Sequence, residues 1–115
     1  MMSPSSVSFQ DFLKVHIRSG TIVKVEQFPE ARRPAYKLWI DFGKELGVKT
    51  ASAQLTKLYR SDQLQNRQVL AVVNFPRKQV ADFRSEVLVL GVPDESGDVV
   101  LLQAERRVPD GSRVF

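Results

Sequence analysis

Residues 69–91, read VLAVVNFPRKQVADFRSEVLVLG, limit the fold more than any other stretch of the chain. Two short runs, 69–73 and 87–90, are rich in Val and Leu and bounded by turn-type residues. That pattern describes strands buried on most of their surface. Between them, Asn74-Phe75-Pro76-Arg77-Lys78 carries a proline, which cannot donate to a strand ladder, and two adjacent cations. Ser85 and Glu86 stand at the mouth of the second run. The stretch reads as a rigid sheet presenting a polar, partly basic loop; the plainer alternative is a solvated connection between two core strands.

The rest of the chain supplies partners for those strands. Residues 37–42 alternate cleanly, placing Leu38, Ile40 and Phe42 on one face and Lys37, Trp39 and Asp41 on the other. Residues 20–25 are β-prone, and Gly20 suggests a bulge or bend near their start. Lys49-Thr50-Ala51-Ser52-Ala53-Gln54 reads as a strand whose small side chains leave room for a close neighbour. Residues 56–64 predict one or two helical turns, and 99–102 a further strand after the acidic turn 94–98. Pro109-Asp110-Gly111-Ser112 predicts another turn. Near the start, Ser8 is placed to cap a short helix, with Asp11 in its first turn. Phe9, Phe12 and Leu13 share one face of that helix. So short a helix does not hold in water by itself, and its aromatic face must dock on its own sheet or on another subunit.

About five main strands with a helix between the third and fourth is the arrangement of the five-stranded OB-fold barrel. The expected chain is therefore mainly β, an OB-fold barrel with a short N-terminal helix and C-terminal strand extensions. Residues 1–7, rich in Ser, are expected to be disordered, and 8–115 to form a single domain.

Composition narrows the function. There is no cysteine, hence no disulfide framework and no thiolate chemistry. His16 is the only histidine, so a His-rich metal site is excluded and neither a metal nor a cofactor is expected. No Gly-x-Ser-x-Gly elbow, P-loop or Gly-x-Gly-x-x-Gly occurs, and no catalytic role is expected. No apolar run approaches the roughly 20 residues that span a bilayer, and the first residues lack the features of a signal peptide. The expectation is a soluble cytoplasmic protein without membrane insertion. Net charge is +4. It is uneven: residues 1–93 hold 14 Lys/Arg against 8 Asp/Glu, and 94–115 hold 3 against 5. A basic body favours a polyanionic partner.

Arg32, Arg33, Lys37, Lys49, Arg77, Lys78 and Arg84 are the cations expected along one face of such a barrel, where they would supply affinity for phosphates. Ser52, Gln54, Asn74 and Ser85 offer hydrogen bonds to sugar, phosphate or base edges. Tyr36, Trp39 and Phe75 are the aromatics able to stack on unpaired bases. Core packing is the expectation for Phe75 and Phe42; Trp39 is either an exposed platform or a second-layer contact.

Ser52-Ala53-Gln54-Leu55-Thr56, Tyr59, Leu64, the stretch 69–76 and the stretch 85–91 together resemble the tRNA-binding domain family. Phe28-Pro29-Glu30-Ala31-Arg32, Ile40-Asp41-Phe42-Gly43 and residues 97–103 extend the likeness, which runs from about Phe9 to Phe115. The family holds stand-alone tRNA-binding proteins and domains appended to methionyl- and phenylalanyl-tRNA synthetases. Synthetase-type members tend to have Gly-Met after Ser-Glu; here Val87-Leu88 stands instead, a departure that matches the export-related chaperone branch. The resemblance implies an OB-fold homodimer joined through its N-terminal helix and C-terminal strands, which assigns Phe9, Phe12, Leu13, Val114 and Phe115 to the interface. It implies tRNA bound by shape and phosphate backbone, at Lys49, Ser52, Gln54, Asn74, Arg77, Lys78, Arg84 and Ser85. It also implies unfolded or secretory polypeptides as partners, for which Trp39 and Phe75 are the candidates. The alternative function is a polypeptide-binding export chaperone with little RNA role.

Overall fold

The computed structural model describes residues 5–115. Residues 1–4 of the segment expected to be disordered lie outside the described residues. The elements in order are α1 (Phe9–Leu13), β1 (Ile17–Gln27), β2 (Tyr36–Asp41), β3 (Val48–Ala53) and α2 (Ser61–Leu64). Then come β4 (Gln68–Val72), β5 (Lys78–Val80), β6 (Phe83–Ser85), β7 (Leu88–Val89), β8 (Gly91–Pro93) and β9 (Val99–Leu101). Strands β3-β2-β1-β4-β7 form one antiparallel sheet in that order, and α2 falls between β3 and β4. This is the nearly closed OB-fold barrel that the strand count predicts.

The alternation of β2 sets the core. Leu38, Ile40 and Phe42 are buried with Ile22, Ala51, Leu64, Val69 and Ala71, while Lys37, Trp39 and Asp41 are half-buried on the other face. Burying each large aliphatic or aromatic side chain contributes about 1.5–3 kcal/mol. The bulge in β1 is at Val23: Ile22 pairs with Ile40 and Lys24 with Trp39, leaving Val23 unmatched. Gly20, three residues earlier, has a different task. A Cβ there would lie 2.7 Å from Ile40 Cγ2 and from the Phe42 ring, so β1 crosses the core at van der Waals distance only without a side chain.

Two features differ from the sequence expectation. The polar middle of 69–91 is a β-hairpin rather than a plain loop: Lys78 pairs with Ser85, Gln79 with Arg84 and Val80 with Phe83. The second apolar run then gives only two residues to the main sheet, Leu88 and Val89, before β8 begins. Strands β8 and β9 pair with each other, and the acidic turn between them is closed by Asp94 Oδ1, which accepts from the Ser96 and Asp98 amides.

The C-terminal tail is bound along β1. Ser19 N donates to Ser112 O, Gly111 N to Ser19 O and Val114 N to Ile17 O. Thr21 Oγ1 donates to Asp110 Oδ1 at 2.7 Å. The buried polar residues Ser19 and Thr21 are thereby satisfied, as burial requires. At Gly111 φ is +88°, and a Cβ would lie 2.5 Å from Phe42 O, so only glycine lets the tail pass over the end of β2.

Candidate nucleic-acid interface

A groove of about 1020 Å³ runs between two walls. One wall is the loop 29–34 between β1 and β2, bounded by Pro29 and Pro34, with Arg32 and Arg33 exposed. The other is the β5–β6 hairpin, which brings Lys78 to the groove and also carries Arg84, exposed but outside the lining. Ser52, Gln54 and Ser85 supply polar groups between the walls. Phe75, Pro76, Leu88 and Val89 supply apolar surface, with Phe75 46% and Leu88 49% exposed.

The hairpin is held in place by side chains. Ser85 Oγ accepts from Ser52 N at 3.0 Å. Glu86 Oε1 accepts from Thr50 N at 3.1 Å and lies 3.0 Å from Thr50 Oγ1, which also lies 2.6 Å from Arg84 O. In return Thr50 O accepts from the Glu86 and Val87 amides, at 2.8 and 3.1 Å. Phe83, at the start of β6, packs edge-on to Phe28 and to Trp39, with ring centroids 5.6 and 5.7 Å apart.

Of the residues predicted to meet RNA, Ser52, Gln54, Lys78 and Ser85 line this groove. Arg77 is exposed next to Lys78, and its guanidinium is 3.4 Å from Glu86 Oε2. Arg84 is exposed on the hairpin. Lys49, Asn74, Arg77 and Arg84 are not among the lining residues. Lys49 pairs with Ile40 and is half-buried; three residues before Ser52 on one strand, it projects from the opposite face. Asn74 lies elsewhere in the hydrogen-bond network: its Nδ2 donates to Lys14 O and its Oδ1 accepts from His16 N, tying the α1–β1 turn to the end of β4. Among the aromatics, Tyr36 is buried and donates its hydroxyl to Tyr59 O, which removes it from stacking. Trp39 is a second-layer contact, set against Phe83 under Lys24 Nζ at 4.6 Å, and does not line the groove. Phe75, expected in the core, is instead exposed: β4 ends at Val72, and Phe75 lies in the segment beyond it that leads to the hairpin.

Thr50 and Glu86 position the hairpin, a role the sequence reading did not assign to them. The signal available was Glu86 itself, a carboxylate just after the cations Arg77, Lys78 and Arg84 and directly before the apolar run 87–90. Lys37 also changes role: its Nζ lies over the Phe28 and Phe83 rings at 4.8 and 5.4 Å and 3.9 Å from Glu30. Outside the groove lining, the Arg60 guanidinium holds the Asp62 carboxyl below the usual carboxylate value through a side-chain hydrogen bond. Among the described residues no group of three or more His, Cys, Asp or Glu is placed to hold a metal ion. No helix among them is long and apolar enough to cross a membrane.

Residues predicted for the subunit interface fall side by side. Arg113 donates to Leu13 O, joining the end of α1 to the tail. Phe9 and Phe115 are exposed, at 65% and 94%, and Phe12, Leu13 and Val114 are half-buried.

The site is thus a groove on the side of a small barrel, lined by Arg32, Arg33 and Lys78 and floored by apolar side chains. The family model described as "Putative tRNA binding domain" matches residues 17–113, and the chain belongs to that family. Among solved structures, the chaperone CsaA of Bacillus anthracis str. Ames is 52% identical with a TM-score of 0.90, over 96% of this chain and 100% of that one. The CsaA chaperone protein of Picrophilus torridus is 47% identical with a TM-score of 0.89, again over 96% and 100%. The methionine–tRNA ligase of Pyrococcus horikoshii is 34% identical over 108 residues, 94% of this chain but 14% of the ligase. The chain thus spans a small part of the ligases it matches.

If Glu86 acts through Thr50 rather than through Arg77, the two ends of its network differ in weight. Glu86→Ala is expected to destabilise the fold by about 1–3 kcal/mol in urea unfolding, since it strands charge-assisted hydrogen bonds. Arg77→Ala, which removes an exposed ion pair, is expected to cost under about 1 kcal/mol. Equal losses would make the ion pair the reason for Glu86.

Proposed function

We propose that the chain is a homodimeric, non-catalytic tRNA-binding protein of CsaA type, acting in the cytoplasm and holding tRNA by shape and phosphate backbone along the groove. One observation carries this reading. Arg32, Arg33 and Lys78 face the groove with no ion-pair partner among the described residues, whereas the two carboxylates that line it, Glu30 and Glu86, are set against Lys37 and Arg77. The groove is therefore net positive where a ligand would lie. Ser52, Gln54 and Ser85 stand between the walls for sugar and phosphate contacts. Family membership and the tRNA ligases among the relatives support the same choice of polyanion.

A second reading, a chaperone for unfolded or exported polypeptides, draws support from the exposed apolar floor at Phe75 and Leu88 and from the CsaA chaperones among the structural neighbours. Basic walls over an apolar floor suit either ligand. The two readings separate by salt. A phosphate-led complex weakens steeply as salt rises, while a complex led by apolar burial shows a negative heat-capacity change and little salt response.

Binding of tRNA, measured by fluorescence anisotropy across a salt series, is expected to fall log-linearly with salt. The variant carrying both Lys78→Ala and Arg84→Ala should flatten that slope by about 1–2 units. An unaltered slope would remove the hairpin from the site. Subunit pairing rests on the adjacent α1 and tail. Sedimentation equilibrium is expected to give twice the 13.0 kDa chain mass. The variant carrying Phe9→Asp and Phe12→Asp should return it to one chain mass, and a dimer unaffected by both changes would place the interface elsewhere.

A further inference from the structure

The two groove walls come from distant parts of the chain, and the hairpin belongs to a two-stranded sheet of its own, apart from the barrel ladder. Behind the groove they nevertheless meet. Phe28 is the residue before the 29–34 wall, is 3% exposed, and holds its ring 5.6 Å from that of Phe83 in the other wall, at an interplanar angle of 72°. Lys37 Nζ lies over both rings and reaches Glu30, which is itself in the first wall. Trp39 supports Phe83 from the barrel, at 69°. Edge-to-face aromatic pairs have a preferred geometry and resist sliding in a way that aliphatic contacts do not.

We propose that the contact of Phe28 with Phe83, capped by Lys37, is the joint that fixes the spacing of the two walls, so that their cations meet one ligand together. Phe83 and Lys37 are then positioning residues. Lys37, though basic and close to the groove, does not touch the ligand: its side chain is 18% exposed and its ammonium is taken up by two rings and a carboxylate. Loosening the joint leaves every ligand contact available but requires the walls to be ordered on binding, which lowers affinity without removing a contact. The binding half of this inference rests on the tRNA reading above; the spacing half does not.

The chain has no cysteine, so Ala31→Cys and Asp82→Cys place one spin label on each wall with no background. Pulsed-dipolar distances between the labels, and tRNA affinity of the unlabelled proteins, are to be measured for the parent, Phe83→Tyr, Phe83→Leu and Lys37→Met. The expected result is a narrow distance distribution in the parent and in Phe83→Tyr, and a broader, longer one in Phe83→Leu and Lys37→Met. Phe83→Leu should bind tRNA about 2- to 10-fold more weakly, the worth of an aromatic pair, with the salt slope unchanged and affinity restored in Phe83→Tyr. Lys37→Met keeps all rings and serves as the deciding variant if Phe83→Leu does not fold. Parent-like distances in both variants would overturn the joint. So would a Lys37→Met protein with unchanged distances and a salt slope reduced by about one, the mark of a lost phosphate contact. A parent that binds no tRNA would sink the RNA reading, and the distances would still decide the joint.

Discussion

The structure depends on how β3 meets the segment that leads into β7. These are the two edges of the five-stranded sheet, and an open edge leaves a row of unpaired amides and carbonyls. The gap is closed at Thr50, whose carbonyl takes the Glu86 and Val87 amides and whose own amide is taken by the Glu86 carboxylate. Ser85 Oγ repeats the device two residues along, at the Ser52 amide. Side-chain acceptors thus stand in for part of a strand ladder. Because Ser85 ends β6 and Glu86 follows it directly, the same bonds that close the barrel set the hairpin against β3, and the basic groove is a by-product of closure.

That dual use explains where sequence reasoning succeeded and where it stopped. The period-two pattern of 37–42 placed Leu38, Ile40 and Phe42 inside because a half-buried strand permits no other arrangement. Ser8 caps α1 by accepting from Asp11 N, as its type and position suggested. The same parity argument, applied to Lys49 and Ser52, already separates their faces, and grouping both at one site overlooked it. The hairpin was illegible for a different reason. Lys78-Gln79-Val80 lacks an apolar alternation, and its turn runs through Ala81 and Asp82 without the Gly or Asn such turns favour, Ala81 taking φ +51° itself. Tertiary contacts, Phe83 between Phe28 and Trp39, hold what local propensity does not. Asn74 shows a further limit: a carboxamide suits an RNA base and a backbone turn equally, and only its neighbours at Lys14 and His16 decide between them.

The charge of the chain divides in the same way. Arg18 donates to Gly111 O and Arg113 to Leu13 O, holding the tail; Lys24 and Lys37 lie over aromatic rings; Arg60 and Arg106 pair with their sequence neighbours Asp62 and Glu105. Net charge therefore overstates what is left for a ligand. The cations without such a task that line the groove together are Arg32 and Arg33 on one side and Lys78 on the other, with Arg84 exposed on the same hairpin as Lys78. A basic isoelectric point of about 9.7 becomes an argument for a polyanion only through this subset.

Backbone amide NMR of the chain during titration with tRNA is the most direct test that the groove made by closure is the binding surface. The account predicts shifts concentrated at Arg32, Arg33, Ser52, Gln54 and residues 78–85, with Arg60 and Arg106 unmoved. Shifts centred on Arg60 or Arg106, with Arg32, Arg33 and Lys78 unchanged, would contradict it.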